Sequence, residues 1–339
     1  MLTVAIAGFG FMGRMHYQCW KGLANARVVA ICDANPNIVA DTNKAIGNIE
    51  GAAAAVDFGR LELYTDFSKM LAQQKLDAVS ITLPTYMHRE YSQMALKSGV
   101  NVLCEKPMAL NAADCQQMIR TAQISGKVLQ IGHCVRFWPE YAKAKEIVTS
   151  GEFGRVIAAT FQRLGAAPGW AWDNWFMDEQ RSGGMVLDLH IHDTDYVQYL
   201  FGVPHALCSH AAGGPHGGTA HIVTKYLYDD DKVVTAEGSW AAMESFGFEM
   251  SFNIMLEKAT IVYDCTRQPT FRICPAQGKA FTPKVAKGDG YSLEIAHFAK
   301  VLSGEKVPQV TTLEQSLNSV RIVEAEKEAA RKGCKVSLT

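Results

Sequence analysis

A chain of 339 residues is longer than one hydrophobic core usually serves, so two domains are expected. The 33 Lys and Arg residues balance 34 Asp and Glu, and 48% hydrophobic content is ordinary for a globular protein, so there is no electrostatic case for a nucleic acid or an anionic membrane as partner and a small molecule is expected instead. No apolar run approaches the length of a membrane span, the start lacks the basic segment of a signal peptide, and nine scattered cysteines without a C-x-x-C point to reduced thiols in a cytoplasmic protein.

Residues 2–7 read as a strand that runs into Gly8-Phe9-Gly10-Phe11-Met12-Gly13, with a helix predicted over 12–23. A G-x-G-x-x-G between a strand and a helix is the dinucleotide fingerprint: the first glycine turns the chain, the second lets backbone approach a pyrophosphate, and the third lets the helix pack closely. Asp33 closes the next strand, 27–32. Its carboxylate can accept from both ribose hydroxyls and would repel a 2′-phosphate, and Ala34, Asn35 and Pro36 offer no neutralising cation, so NAD is expected over NADP. Beside Asn35-Pro36, the same Asp33 also fits a helix N-cap or a turn.

Further strands at 78–83, 101–104 and 128–131 alternate with helices at 36–46, 66–73, 88–98 and 111–125, and 48–56 reads as a loop or frayed helix end. This alternation predicts an α/β, doubly wound parallel sheet. After Gly132 the pattern changes to strands at 155–163, 222–228, 233–240, 246–256 and 259–263 joined by short turns, which predicts a mainly antiparallel α+β domain. A helix over 313–331 ends at Lys332-Gly333. The expected domains are 1–131, dinucleotide-binding, and 132–339, substrate-binding.

Two segments carry chemistry. Val102-Leu103-Cys104-Glu105-Lys106-Pro107 ends a strand at the sheet's carboxyl edge, where Lys106 could hold a substrate hydroxyl and stabilise a developing alkoxide; taken alone, Glu-Lys-Pro reads as a surface turn. In the run 183–195, a helix starting near Gly184 would place Asp188 and His192 on one face, with Asp195 three positions on, so that a carboxylate orients a histidine acting as proton acceptor. A structural histidine is one alternative. A metal site of Asp188, His190, His192 and Asp193 is the other, opposed by the i, i+2 spacing of the histidines, and no metal is expected. Trp170, Trp172 and Trp175 offer aromatic faces to a sugar or nicotinamide, or are plain core.

On these residues the chain resembles the Gfo/Idh/MocA oxidoreductases, a family that includes glucose-fructose oxidoreductase and inositol 2-dehydrogenase. The markers span essentially the whole length: the glycine turn, Leu83-Pro84-Thr85-Tyr86-Met87-His88, Cys104-Glu105-Lys106-Pro107, Gly132-His133-Cys134-Val135-Arg136-Phe137-Trp138-Pro139, and the Gly-Gly-x-x-x-Asp-x-x-x-His-x-x-Asp run. His190 departs from the pattern, since many members have glycine there. The resemblance implies Lys106, Asp188 and His192 as the catalytic group. It implies a cofactor site of Gly8, Gly10, Phe11, Met12, Gly13, Asp33, Pro84, Thr85, His88, Glu105, Lys106 and Arg136. It further implies an open-faced second sheet whose outer side builds homodimers or homotetramers.

The expected function is NAD-dependent oxidation of a secondary hydroxyl on a sugar, glycoside or cyclitol. Arg163, Asp173, Asn174, Trp175 and Tyr291 join Lys106, Asp188 and His192 as candidates for holding the substrate. Two alternatives stay open: an NAD-dependent glycoside hydrolase using transient ring oxidation, and a non-enzymatic sugar or nucleotide sensor.

Overall fold

The computed structural model describes residues 1–38, 56–169, 171–215 and 217–338. The chain divides into two compact units, Met1–Phe137 with Asp289–Leu317, and Trp138–Gly288 with Asn318–Thr339.

The first unit begins with β1 (Leu2–Ala7), α1 (Phe11–Lys21), β2 (Ala26–Cys32), β3 (Glu62–Tyr64) and α2 (Phe67–Gln73). It continues with β4 (Ala78–Ile81), α3 (His88–Lys97), β5 (Asn101–Glu105), α4 (Ala112–Ser125) and β6 (Leu129–Gly132). All six strands are parallel in the order β3-β2-β1-β4-β5-β6, which puts the topological switch point between β1 and β4. Val4, Ile6, Val79, Ile81, Val102 and Leu103 are buried because helices cover both faces of a parallel sheet. The doubly wound sheet expected from the sequence is present. The short edge strand β3 carried no periodic signal, and the expected helix over 36–46 and loop over 48–56 fall almost wholly outside the described residues, with 36–38 forming a turn.

The second unit comprises α5 (Pro139–Ser150), β7 (Val156–Gly165), α6 (Glu179–Ser182), a π-helical turn (Val186–His190) running into α7 (Ile191–Phe201), and strands β8 (Ala206–Gly213), β9 (Thr219–Leu227), β10 (Val233–Ser239), β11 (Phe248–Leu256), β12 (Ala259–Asp264) and β13 (Phe271–Pro275). Its sheet is mostly antiparallel, as expected, with one parallel pair, β7 with β10, at the centre. Along β7, Phe161 and Arg163 face the core while Thr160 points out, and cross-strand register puts Val223, Lys225, Val233, Asn253 and Met255 on that same exposed face. The covered face is aromatic: Tyr141 meets Tyr196, Phe252 and Tyr263 edge-on at 4.8, 4.9 and 5.2 Å.

The chain then forms α8 (Gly290–Leu302), α9 (Leu313–Lys332) and β14 (Val336–Ser337). Although α8 lies far along the sequence, inside the stretch 132–339, it belongs to the first unit. Asp289 and Ser292 close a reciprocal capping box at its start, and its face of Ile295, Phe298 and Ala299 packs with Val4, Trp20, Ala78 and Leu103. Trp20 and Phe298 meet edge-on at 6.2 Å, and Trp20 Nε1 donates to Ser80 Oγ at 2.9 Å. No helix among the described residues is long and apolar enough to cross a membrane.

Because Phe298 is fully buried in that core, Phe298→Ala should destabilise the protein by about 3–5 kcal/mol in denaturant unfolding. A loss below about 1 kcal/mol would mean that α8 only rests on the first unit.

Candidate functional site

In the first unit the glycine turn is a steric requirement. Gly8 has φ +85°, and a Cβ there would lie 2.8 Å from the Thr82 carbonyl oxygen; on Gly13 it would lie 2.1 Å from the Gly8 oxygen. Nothing lies within 4 Å of a Cβ on Gly10, so the outer side of the turn is open. Thr82 Oγ1 donates to Gly8 O at 2.6 Å and holds the turn down. Gly10 supplies no side-chain cap to α1 and no acidic residue sits in its first turn, so the positive end of this helix dipole suits an anion. The residues present therefore fit a dinucleotide phosphate.

Asp33 serves the turn as well as any ribose: Oδ2 accepts from Phe9 N–H at 2.6 Å and Oδ1 from Asn35 N–H at 2.9 Å. The turn reading is present in these bonds, and a carboxylate has further acceptor sites that the ribose reading would use.

At the end of β5, Glu105 is buried with Oε1 2.9 Å from Nε2 of the fully buried His16, and its Oε2 accepts from Lys106 N–H at 3.2 Å. Burial pushes the Glu105 carboxyl up, but the hydrogen bond and charge of His16, with Lys106 and His88, more than reverse this and hold it below the usual carboxylate range. Lys106 itself is half-buried. His88 is buried with Nδ1 and Nε2 each 2.8 Å from a carbonyl oxygen, of Pro107 and Leu83 respectively. Burial pushes its pKa down against the pull of the two carbonyls. His88 thus clamps the loop after β4, with Pro84 and the buried Thr85, to the loop after β5.

Arg136 is also fully buried, its Nη1 2.9 Å from Val310 O and hydrogen-bonded to Gln315. Tyr291 lies on α8 in this first unit, hydrogen-bonded to the Cys134 thiol, which burial pushes up. Both ring nitrogens of His88 and Nη1 of Arg136 are thus engaged by oxygens of this unit.

In the second unit, Gly183 and Gly184 have φ +78° and +72°, and a Cβ on Gly183 would meet Leu187 Cδ2 at 2.3 Å. The helix that follows is not regular: 186–190 form a π turn, so the four-residue spacing of Asp188 and His192 does not place them as on an ideal helix face. Asp188 is buried in that turn, and His192 is half-buried in the first turn of α7.

The expectation for Arg163 is corrected. Its Nε and Nη2 sit 2.8 and 3.1 Å from the Asp193 carboxylate, with both side chains buried, and Nη1 contacts Met250 Sδ at 3.4 Å, so its donors face an internal anion. Asp195 accepts from Ser319 Oγ at 2.6 Å. His190 is fully buried over Gly238, where a Cβ would lie 2.7 Å from its Nδ1, and its Nε2 is 3.5 Å from Glu326 Oε1. Glu326 also accepts from Tyr226 Oη at 2.6 Å and Thr194 Oγ1 at 3.1 Å. Burial, reinforced by Glu326, raises the Tyr226 pKa well above its ordinary value. With Asp193 on Arg163 and His190 beside Glu326, the metal alternative loses two of its ligands; among the described residues no three His, Cys, Asp or Glu side chains could hold a metal ion.

Trp170 lies outside the described residues, and Trp172 is 67% exposed. Trp175 stacks on Phe176 at 4.0 Å. Asp173 and Asn174 take left-handed φ of 50° and 48°, and Asp173 Oδ2 accepts from Arg181 Nη1 at 2.7 Å, which holds the loop. Phe176, rather than Trp175, joins Trp240 in lining a cavity of about 320 Å³ in this unit. His16, Glu326, Phe176 and Trp240 are the residues that sequence reasoning missed; only His16, three positions after Gly13, had a local signal.

A Rossmann unit with an open glycine turn, together with a second unit carrying a mostly antiparallel sheet, defines a two-unit dinucleotide-binding protein. Residues 2–133 match the Gfo/Idh/MocA oxidoreductase family, described as an NAD-binding Rossmann fold, and 141–262 match the Gfo/Idh/MocA C-terminal domain. The chain belongs to the Gfo/Idh/MocA oxidoreductase family. It is similar to 2,7-anhydro-N-acetylneuraminate hydratase of Mediterraneibacter gnavus, at 30% identity over 217 residues covering 64% of this chain and 54% of that one. It is also similar to D-glucoside 3-dehydrogenase of Escherichia coli, at 31% over 206 residues covering 60% and 55%. The matched stretch thus spans about half the length of these curated relatives. In fold it is similar to levoglucosan dehydrogenase in complex with NADH and levoglucosan, with a TM-score of 0.83 over 99% of both chains at 21% identity.

Two outcomes follow from these contacts. Gly238→Ala should cost about 1–3 kcal/mol by forcing a methyl group onto the His190 ring, and most of that cost should vanish in a His190→Gly background; equal costs in both backgrounds would refute the contact. Glu105→Gln should cost about 1.5–3 kcal/mol at pH 7. Because the folded pKa of Glu105 is depressed, its contribution is fully present above the ordinary glutamate value of about 4.3 and is lost as pH falls through the folded value, so the gap between wild type and variant, read by urea unfolding, should close on acidification.

Proposed function

We propose that this protein is an NAD-dependent dehydrogenase that oxidises a secondary hydroxyl of a sugar, glycoside or cyclitol. The observation that carries this reading is Lys106 at the carboxyl end of β5, its backbone held by a buried Glu105–His16 pair within the same unit as a glycine turn that is open at Gly10. Gly8, Gly10, Gly13 and the start of α1 would hold the dinucleotide phosphates, and Asp33 a ribose. When bound, the nicotinamide supplies the hydride acceptor. Lys106 holds the substrate oxygen and stabilises the alkoxide as charge develops. His192 takes the hydroxyl proton, while Asp188 orients the imidazole and stabilises its charged form.

In this reading residues 1–131 serve the dinucleotide and 132–339 the substrate, and the enzyme works in the cytoplasm as a homodimer or homotetramer joined through the exposed sheet face of Val223, Val233 and Met255. Likeness to relatives named D-glucoside 3-dehydrogenase and levoglucosan dehydrogenase supports the substrate class. A second reading, in which ring oxidation is transient and NADH does not accumulate, is favoured by the likeness to a hydratase. A sensor would have no use for Lys106, Asp188 and His192 together.

A panel of sugars, glycosides and inositols with NAD, followed at the NADH absorbance, tests the main reading; substrate consumption without net NADH would favour the second. Lys106→Met should lower turnover about a hundredfold or more with NAD binding nearly intact, because the lost interaction acts in the transition state. The rate should rise with pH through an acidic limb that disappears in His192→Asn, since only a neutral histidine accepts a proton. Asp33 should favour NAD over NADP by about tenfold or more, roughly 1.4 kcal/mol, in direct binding titrations, and Asp33→Ser with Ala34→Arg should shift the preference toward NADP.

A further inference from the structure

The cavity in the second unit lies against the helix that carries Asp188 and His192: Gly184 and Met185, the residues just before the π turn, are part of its wall. At about 320 Å³ it falls at the small end of the range of ligand sites, and it is formed by β-strand ends and loops of this unit alone. One side is aromatic and thioether: Phe176 and Trp240 stand edge to face at 6.2 Å, with Met177, Met185 and Met243 beside them. Much of the rest of the lining is glycine and alanine, including Gly214 and Gly218, which contribute backbone and no reaching side chain.

Among the described lining residues the polar side-chain groups are those of Thr219, Glu179 and Glu244 and the indole N–H of Trp240, and there is no Lys or Arg. A ring bearing several hydroxyls would leave most of them without side-chain partners there, at a cost for each buried and unpaired group. Flat apolar groups, by contrast, stack on Trp and Phe and are accommodated by flexible Met. An anion would face the two carboxylates, one of which, Glu179, has Lys327 as a charged neighbour outside the wall. Glu179 fills the space beside two glycines: its Oε1 lies 2.9 and 2.7 Å from where a Cβ would stand on Gly184 and Gly218, both at positive φ, so a side chain at either position would displace it.

We propose that this cavity is an aglycone subsite, so that the substrate is a glycoside with an apolar, uncharged aglycone, and free or anionic sugars are poorer substrates. The proposal deepens the dehydrogenase reading and rests on it.

The test uses methyl, phenyl and 4-carboxyphenyl glucosides, with kcat/KM from NADH formation and Kd from calorimetry, on the intact protein. The phenyl glucoside should exceed the methyl glucoside by about tenfold in both quantities, and the carboxylate should remove that gain. Trp240→Ala should lower the phenyl value about tenfold more than the methyl value. Ala241→Trp, at an exposed wall position that can change without burying a larger core, should erase the phenyl preference by filling the cavity. Equal values for the phenyl and methyl compounds in wild type, or equal losses in the variants, overturn the subsite while leaving the dehydrogenase reading intact. Trp240-dependent binding of the phenyl compound without any NADH formation overturns the dehydrogenase reading and keeps the subsite. No binding of any of the three overturns the subsite, and NADH formation from another sugar or a cyclitol in the same assay then shows that the reading survives it.

Discussion

A single side chain at Gly13 would overlap the Gly8 carbonyl oxygen, and this lack of room between α1 and the end of β1 governs the whole dinucleotide unit. With α1 pressed that close, positions three and four residues apart along it fall into place in turn. Gly13 meets the turn, His16 reaches Glu105 at the end of β5, and Trp20 reaches Phe298 on α8. One close helix approach therefore sets the phosphate cradle, the carboxylate behind Lys106 and the docking of a helix that lies more than 250 residues later in the chain. A larger residue at Gly13 would disturb all three.

The second unit is organised by buried charge. Arg163 with Asp193, and Glu326 with Tyr226, Thr194 and His190, lie under the π turn and α7. The Arg163–Asp193 ion pair costs desolvation and adds little net stability, but breaking it leaves an uncompensated charge, so it ties α7 to β7, while the hydrogen bond from Tyr226 to Glu326 ties β9 to α9. His190 is the departure from the family pattern visible in the sequence, and Gly238 on β10 is its complement: the ring takes the space that a side chain on that strand would have used. The departure is absorbed in the interior, beside Glu326.

The fold was largely legible in the sequence because its signals are local. Strand, glycine turn and helix follow one another within 21 residues, and five of the six parallel strands are short, mostly apolar runs. Among the elements that were not expected, β3 is three residues long, and β8, which ends in Ala211-Ala212-Gly213, has no β-branched residue. The sequence also named the residues on which the functional proposal rests, Lys106, Asp188 and His192, because spacing within a motif survives in one dimension.

What a side chain does with its donors is another matter, since partners come from anywhere in the chain. Arg163 and Arg136 look the same in sequence as arginines that would hold a ligand; only the fold turns one onto Asp193, 30 positions away, and the other onto Val310, 174 positions away. The sequence by itself determined the parallel sheet, the glycine turn, the acid at the end of β2 and the family, all of which rest on interactions between near neighbours and on the periodicity of burial. Tertiary structure alone decided that α8 returns to the first unit, that His88 clamps two loops, that the helix of Asp188 and His192 opens into a π turn, and that Phe176 and Trp240 line a cavity, because each depends on packing between residues that the chain brings together only once it is folded.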